Sequence, residues 1–355
     1  MGMSPKGSIL LWGMAVVTSG LLSLDPALSW ASHQSGHAPD GHRVEATLVA
    51  GQPVVKPGHQ GNGLFYMTNA TTDDLAIVDP VTEQIVKTIR VGKRPLGVTL
   101  TKDGFYAVTS NFDSNNISVV DLQSLKVIRT VPTGIGPDGV TMTPDGRGAY
   151  VANSGSNDLT VIRTKDWTVV KTLPVGKSPD NLVFSRDGKT AYLTNCDSNN
   201  VAVIDTARIE VVQFITVGTV PEGIVLTPDE SRAYVANNVS DDVSVIDLRK
   251  RTVVKTIKVG NAPAGVSLGP DGRSVYVANE RDNNISVIDT ATDRVVKTLP
   301  TGGKFPVDIL FADDGRRAFI SHRDSSDVTI LDLETEKVVK SLGVGNSMQE
   351  GVAQK

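Results

Sequence analysis

Apolar and polar positions along this chain fall into short runs that recur in one order. Residues 221–259 show the unit: "PEGIVLTP", the turn "DESR", "AYVAN", a polar loop "NVSDD", "VSVID", a second turn and "TVVKTIKV". Val, Ile, Thr and Tyr suit a pleated surface, and Pro-Asp, Asp-Gly and Asn/Asp/Ser clusters mark turns. No stretch keeps a helical period. The pattern therefore predicts four short strands per unit. Runs such as "VSVID" are almost unbroken in apolar character, which requires both faces of each sheet to be covered.

The unit repeats with nearly constant phase. Aligned on the Asn that ends "YVAN", the copies carry Asn69, Asn111, Asn153, Asn195, Asn237, Asn279 and His322, spaced by 42 residues five times and then by 43. Ten residues later stand Asp79, Asp121, Arg163, Asp205, Asp247, Asp289 and Asp332, Arg163 being the one exception to Asp. A proline opens the next unit at Pro95, Pro137, Pro179, Pro221, Pro263 and Pro306, with Pro53 in matching phase before the first. Seven four-stranded sheets that bury both faces are satisfied by stacking in a ring, an all-β seven-bladed propeller of antiparallel blades.

"YMTN" (66–69), "YVAN" (150–153, 234–237, 276–279) and "YLTN" (192–195) carry a resemblance to the YVTN-type β-propeller repeat, over residues 53–345. The resemblance implies an exported propeller of a broad class, with its site at the mouth of the central channel. It also implies two enzymatic or redox alternatives: a lactone hydrolase or lyase, or an accessory subunit of a periplasmic quinone-linked oxidoreductase.

Both ends overhang the seven units. "RVEATLVAGQP" (43–53) reads as a fourth strand and following proline, and "MQEGVA" (348–353) as the start of a further first strand. One or both should close the ring without exposed edges; the pattern alone leaves open which.

Residues 1–31 differ in character. Lys6, the apolar run 9–24 and the small residues Ser29 and Ala31 follow the order of a secretory signal. The run is shorter than the roughly 20 residues of a membrane span, so cleavage near Ala31 and a periplasmic or secreted destination are expected. Retention as an anchor is the alternative. Residues 32–42 form a His-containing linker and 43–355 the propeller. The net charge of −4 and pI near 5.8 argue against a nucleic-acid or anionic-membrane surface. Cys196 is the sole cysteine, so no internal disulfide or Cys-x-x-Cys-His haem attachment exists. Cys196 is expected to be a packing residue. A monomer is expected.

In an up-and-down blade, the blade-to-blade connection and the loop after "YVAN" share the channel-mouth face. Departures from the repeat there are the candidate chemistry. The last unit has His322 in the Asn slot, Arg323 beside it, the extra residue of "TGGKFP" presenting Lys304 and Phe305, and Asp308 in a slot that is mostly Gly. A polar or anionic ligand would pair with Arg323 or Lys304 and lie against Phe305. His322 and Asp308 are the general acid–base candidates if the site is catalytic. Relaxed constraint in the closing blade accounts for the same departures. The slot after the proline is Asp138, Asp180 and Glu222 in three consecutive units. These carboxylates could bind a divalent cation, Ca²⁺ favouring such oxygens, or simply accept backbone hydrogen bonds. His33, His37 and His42 could trap Cu²⁺ or Zn²⁺ weakly; otherwise no cofactor is implied.

Two recurring features read as structural. Lys87, Arg129, Lys171, Lys255, Lys297 and Lys340 on the fourth strands are expected to protect outer edges, and "SNN" (114–116, 198–200) and "SDD" (240–242) to serve Asx turns. With no nucleophile motif or phosphate loop, the reading favoured is a non-catalytic binding or scaffold protein that presents its mouth to a protein or small ligand.

Overall fold

The computed structural model describes residues 64–79, 84–312, 315–325 and 327–343. These form seven antiparallel sheets, each a meander in chain order. The first contains β1 (Phe65–Asn69), β2 (Asp74–Asp79) and β3 (Gln84–Arg90); the second contains β4 (Pro95–Leu100), β5 (Tyr106–Asn111), β6 (Asn116–Asp121) and β7 (Lys126–Pro132). Five further four-stranded blades open at Pro137, Pro179, Pro221, Pro263 and Pro306. The seven-bladed all-β ring expected from the repeat is thus present, with two single-turn 3₁₀ segments at Phe112–Ser114 and Cys196–Ser198. The leader, the His-containing linker and both overhanging segments lie outside the described residues.

Apolar faces of neighbouring blades make the core. Tyr150 and Leu159 of the third blade pack with Leu182 and Phe184 of the fourth, and the Tyr150 and Phe184 rings meet edge to face with centroids 5.0 Å apart. The seventh blade meets the first in the same manner. Phe65 and Met67 join Leu310, Phe319 and Ile330, with the Phe65 and Phe319 centroids 4.3 Å apart, so the ring is closed.

In four blades the innermost strand lies so close to the next that a side chain would not fit at its third position, which is Gly97, Gly139, Gly223 or Gly265; Asn181 and Asp308 hold that position in two others. A Cβ on Gly97 would stand 2.6 Å from the Asp138 carbonyl oxygen and 2.8 Å from Ser110 Oγ, and one on Gly223 2.5 Å from the Ala264 carbonyl oxygen.

The outer strands end the packing differently. In every blade the pairing of third and fourth strands skips one residue: Val86, Ile128, Val170, Val212, Val254, Val296 and Val339. Each is exposed. A bulge at the same place in all seven edges bends them away from pairing with another sheet. The basic residues beside these bulges do more than was expected of them. Lys171 Nζ donates to the Ile209 carbonyl at 2.6 Å, Lys255 Nζ to that of Thr292 at 3.1 Å, and Gln213 Nε2 to that of Arg251 at 3.2 Å. Lys297 pairs with Glu336. These side chains tie the third to sixth blades each to a turn of the next.

Arg163, unexplained by the repeat, also finds its place. In the second blade and in the fourth to seventh the Asp at this slot caps its own turn, as Asp121 Oδ1 does for the N–H groups of Gln123 and Ser124. In the third blade Arg163 donates to both Asp166 oxygens at 2.9 and 2.7 Å, and Thr168 donates to Asp166. The acid has moved along the turn and a base takes its slot.

Gly97→Ala should lower the midpoint of thermal unfolding by several degrees, since the backbone of the neighbouring strand at Asp138 and Val140 cannot readily yield and overpacking costs about 1–3 kcal/mol. An unchanged midpoint in a thermal scan would show that the innermost strands can separate.

Candidate functional site at the channel mouth

The mouth is held by a latch repeated around the ring. Asn111 Nδ2 donates to Asn116 Oδ1 at 2.8 Å and to Ser118 Oγ at 2.9 Å, and its Oδ1 accepts the Gly92 N–H at 3.1 Å. Asn153, Asn237 and Asn279 donate to the matching pairs Asp158 and Thr160, Asp242 and Ser244, Asn284 and Ser286; Asn195 donates to Asn200. Each latch side chain lies directly beneath a glycine of the connection. A Cβ on Gly92 would come within 2.5 Å of Asn111 Cγ.

The "SNN" loop serves three partners rather than one Asx turn. Ser114 Oγ accepts the Lys93 N–H at 2.7 Å, Asn115 Oδ1 the Gly136 N–H at 2.9 Å, and Asn116 the latch Asn111. Ser198, Asn199 and Asn200 repeat the set. The middle residue of the loop is left-handed in each case (Asn115 at φ 53°, Asn199 at φ 52°), a conformation Asn tolerates. It stitches its blade to the connection leading into the next.

His322 occupies the latch position of the seventh blade. Its side chain is fully enclosed beneath Gly303, with Nδ1 3.1 Å from Asp327 Oδ1. Asp327 also accepts Ser325 Oγ at 2.7 Å and Ser341 Oγ at 2.6 Å, and these partners hold its carboxyl below the usual range against the opposing effect of burial. The structure thus places His322 inside the blade, where Asn stands in the others, and not on the channel wall. Lys304 is exposed on the connection, its backbone N–H donating to Ser325 Oγ at 2.8 Å. Asp308 is half-buried on the innermost strand, where its Oδ1 accepts the Ile309 N–H at 2.8 Å.

Two slots line the mouth, the residue after the proline and the residue after the latch. The second is Phe112, Ser154, Cys196, Asn238, Glu280 and Arg323 in the blades from the second to the seventh, all buried. Arg323 Nη2 donates to Glu280 Oε1 at 2.9 Å, and its guanidinium lies 4.6 Å from the centre of the Phe305 ring. Glu280 Oε2 accepts Asn238 Nδ2 at 3.3 Å. Asp138, Asp180 and Glu222 project from consecutive innermost strands into the same space. Burial raises Glu222 well above the ordinary carboxylate range, and the charges of Glu280, Asp180 and Asp138 raise it further while Arg323 opposes them. The same burial and acids raise the Cys196 thiol, whose Sγ lies 3.0 Å from the Pro221 carbonyl oxygen. Cys196 is a buried packing residue with a protonated thiol.

The structure therefore brings together Asp138, Asp180, Glu222 and Arg323, four of the residues singled out in the sequence, with Phe305 beneath the guanidinium. It adds Glu280 and Asn238. Their signal was available: the slot after the latch carries a different residue in every blade, which a search for departures within one unit passes over. Among the described residues no group of three or more His, Cys, Asp and Glu side chains is arranged to hold a metal ion. His33, His37 and His42 lie outside the described residues. No helix of the described residues is long and apolar enough to cross a membrane.

A carboxyl whose folded pKa is raised contributes stability that is present below its unfolded value, near 4.5, and lost as pH rises through the folded value. The thermal midpoint of the wild type should accordingly decline as pH rises above about 4.5, and Glu222→Gln should flatten that decline. Parallel profiles for the two proteins would show that Glu222 ionises without cost.

No curated protein matches the chain. Among solved structures, Kuenenia stuttgartiensis hydrazine synthase is similar, with a TM-score of 0.72 and 22% identity over 84% of this chain and 98% of that one. A functionally unknown protein from Desulfotomaculum acetoxidans DSM 771 gives a TM-score of 0.72 at 17% identity, over 83% and 99%. Dihydro-heme d1 dehydrogenase NirN, in complex with DHE, gives 0.65 at 20%, over 86% and 67%. Likeness at this identity is a likeness of fold. The sequence itself matches one family over residues 63–354, nearly all of the ring, and the chain belongs to that family, the YNCE-like beta-propellers.

Proposed function

We propose that this chain is an exported, non-catalytic binding protein that receives a positively charged group of its ligand or protein partner at the channel mouth. The observation that carries this reading is the set Asp138, Asp180, Glu222 and Glu280, gathered from four consecutive blades around one guanidinium, Arg323. Acids outnumber the base, so the mouth favours cations. A partly desolvated site strengthens that preference. Glu280 and Arg323 neutralise each other in place, and Phe305 offers an apolar wall beside them. An organic ammonium or guanidinium suits this arrangement better than Ca²⁺, which takes roughly six to eight oxygen ligands at short range, because among the described residues no three carboxyl groups are placed to hold one ion.

Enzymatic readings draw less support from the geometry. The one histidine of the propeller repeat, His322, is enclosed and engaged with Asp327, away from any substrate. An accessory role beside a redox enzyme draws on the likeness to hydrazine synthase and NirN. Without a haem attachment motif, this chain would contribute binding there, through the same mouth.

Thermal-shift and calorimetric titrations with cadaverine, arginine methyl ester and Ca²⁺ at low salt test the proposal. An amine at a hundred times its Kd should stabilise the fold by about 2.7 kcal/mol. Glu280→Gln and Asp180→Asn should abolish the effect, whereas His322→Asn, which restores the latch residue of the other blades, should retain it. No shift with either organic cation, or a shift lost only in His322→Asn, would contradict the assignment.

A further inference from the structure

On the face opposite the mouth, two slots meet across the junction of neighbouring blades. One is the first residue of a blade's second strand; the other is the residue before the fourth strand of the next blade. Between the fifth and sixth blades they hold Arg232 and Asp293, an ion pair at 2.7 Å whose carboxylate also accepts the Tyr234 hydroxyl at 2.6 Å. Between the first and second, Leu64 and Leu125 pack into one apolar cluster. Each of these pairs satisfies itself. Between the second and third blades the slots hold Tyr106 and Trp167, whose rings meet edge to face with centroids 6.4 Å apart. The remaining blades carry Gly148, Thr190, Ser274 and Arg317 in the first slot, and Ile209, Arg251 and Glu336 in the second.

The aromatic pair walls a groove of about 550 Å³, within the size range of small-ligand sites. Lys102, Asp103, Asp145 and Lys165 supply its charged groups. Hydrogen bonds fix these walls in advance. Lys102 Nζ donates to the Pro144 carbonyl at 2.8 Å, tying the second blade to the third, and Thr164 Oγ1 donates to the Gly146 carbonyl at 2.8 Å. Asp103 Oδ1 accepts Thr101 Oγ1 at 2.6 Å and the Phe105 N–H at 3.0 Å; Asp145 Oδ1 accepts Thr143 Oγ1 and the Arg147 N–H at the same distances. Each carboxyl thus uses one oxygen in its own turn and keeps the other. Among the described residues, the Tyr106 hydroxyl and the Trp167 indole N–H make no hydrogen bond and the Lys165 ammonium no ion pair.

We propose that this groove binds a neutral sugar ring of a saccharide, stacked on Trp167 and hydrogen-bonded by Asp103, Asp145, Lys165 and Tyr106. Two acids and two bases leave the groove without net charge, which suits an uncharged ligand. Every sugar hydroxyl both donates and accepts, and here carboxylate acceptors stand beside ammonium, phenol and indole donors. Bonds to the charged members are of the stronger kind. The C–H face of a pyranose also complements the electron-rich face of an indole. A nucleotide would set its phosphate against Asp103 and Asp145. A proline-rich segment would seat on the aromatic rings, but proline lacks the N–H that the carboxyls require. The site lies on the opposite face from the acidic mouth and does not depend on its function.

Indole emission tests the proposal. Trp12 and Trp30 precede the described ring, so the full chain carrying Trp12→Phe and Trp30→Phe reports on Trp167 alone. Chitotetraose, cellotetraose and maltotetraose are titrated into it, with decaproline alongside. At least one saccharide should shift the emission saturably, with a Kd below about 1 mM. In calorimetry, Trp167→Leu, which copies the slot residue Leu125, should abolish binding. Asp103→Asn, which keeps an oxygen for the turn, should weaken it roughly fivefold, the loss expected of one hydrogen bond. Should Trp167→Leu fail to fold, Asp103→Asn carries the test alone. Silence with all three saccharides, or binding unaltered in either folded variant, would overturn the proposal and leave Tyr106 and Trp167 as packing between blades. Saturable binding of decaproline alone would overturn it in favour of a peptide groove.

Discussion

A carboxamide pressed against a glycine sets the geometry of this molecule. Asn111 binds two side chains of its own blade while its Oδ1 takes the Gly92 N–H, and the space between them admits no Cβ. Glycine and asparagine are therefore required together, one residue for the room and the other for the bonds. The Nδ2 bonds and the close glycine contact recur around the ring and hold each connection over its blade, while the Oδ1 atoms of Asn153, Asn195, Asn237 and Asn279 find no donor among the described residues; the loop beside the latch reaches forward to the next connection. Hydrogen bonds of this kind contribute about 1 kcal/mol each. Their number, with the close packing of each carboxamide on its glycine, makes the mouth face a single rigid surface.

Rigidity of that kind frees the neighbouring slots. Residues after the latch and after the proline project from positions already fixed, so they change from Phe112 to Ser154 to Glu280 to Arg323 without disturbing the strands. Electrostatics then concentrates there, because the mouth is partly desolvated and the carboxylates of successive blades face one another. Glu222 feels this most, held towards its protonated form by burial and by its acidic neighbours. A rigid, acid-rich and partly dry mouth is preorganised for a cation, which need not order the protein on arrival.

The ring itself was legible in the chain because each blade needs the same solution. "YVAN", "VID" and the proline occur at fixed phase, and the structure places them where the period requires. The site was legible only in part. Asp138, Asp180, Glu222 and Arg323 stood out as departures and do meet. His322 stood out more sharply and is a latch residue, because imidazole can replace carboxamide as a partner for the carboxylate of Asp327. Sequence shows that a residue differs from its copies; whether the difference faces the channel or the blade interior depends on which side of the strand carries it. Glu280 was obscured for the opposite reason, since no two blades agree at its slot and no rule was visible to break. The lysines of the outer strands show a third limit. Their edge position was readable, but their reach to a turn of the next blade depends on blade stagger, which no single repeat records.

The latch is tested most directly by a double-mutant cycle on Gly92 and Asn111, read by denaturant unfolding. Gly92→Ala and Asn111→Ala should each destabilise the protein. Removing the carboxamide also removes what the new methyl would strike, so the double variant should lose less than the sum of the two, by a coupling energy of about 1–3 kcal/mol. Additive losses would mean that glycine and asparagine act independently, and the account of the mouth as a latched surface would fall with them.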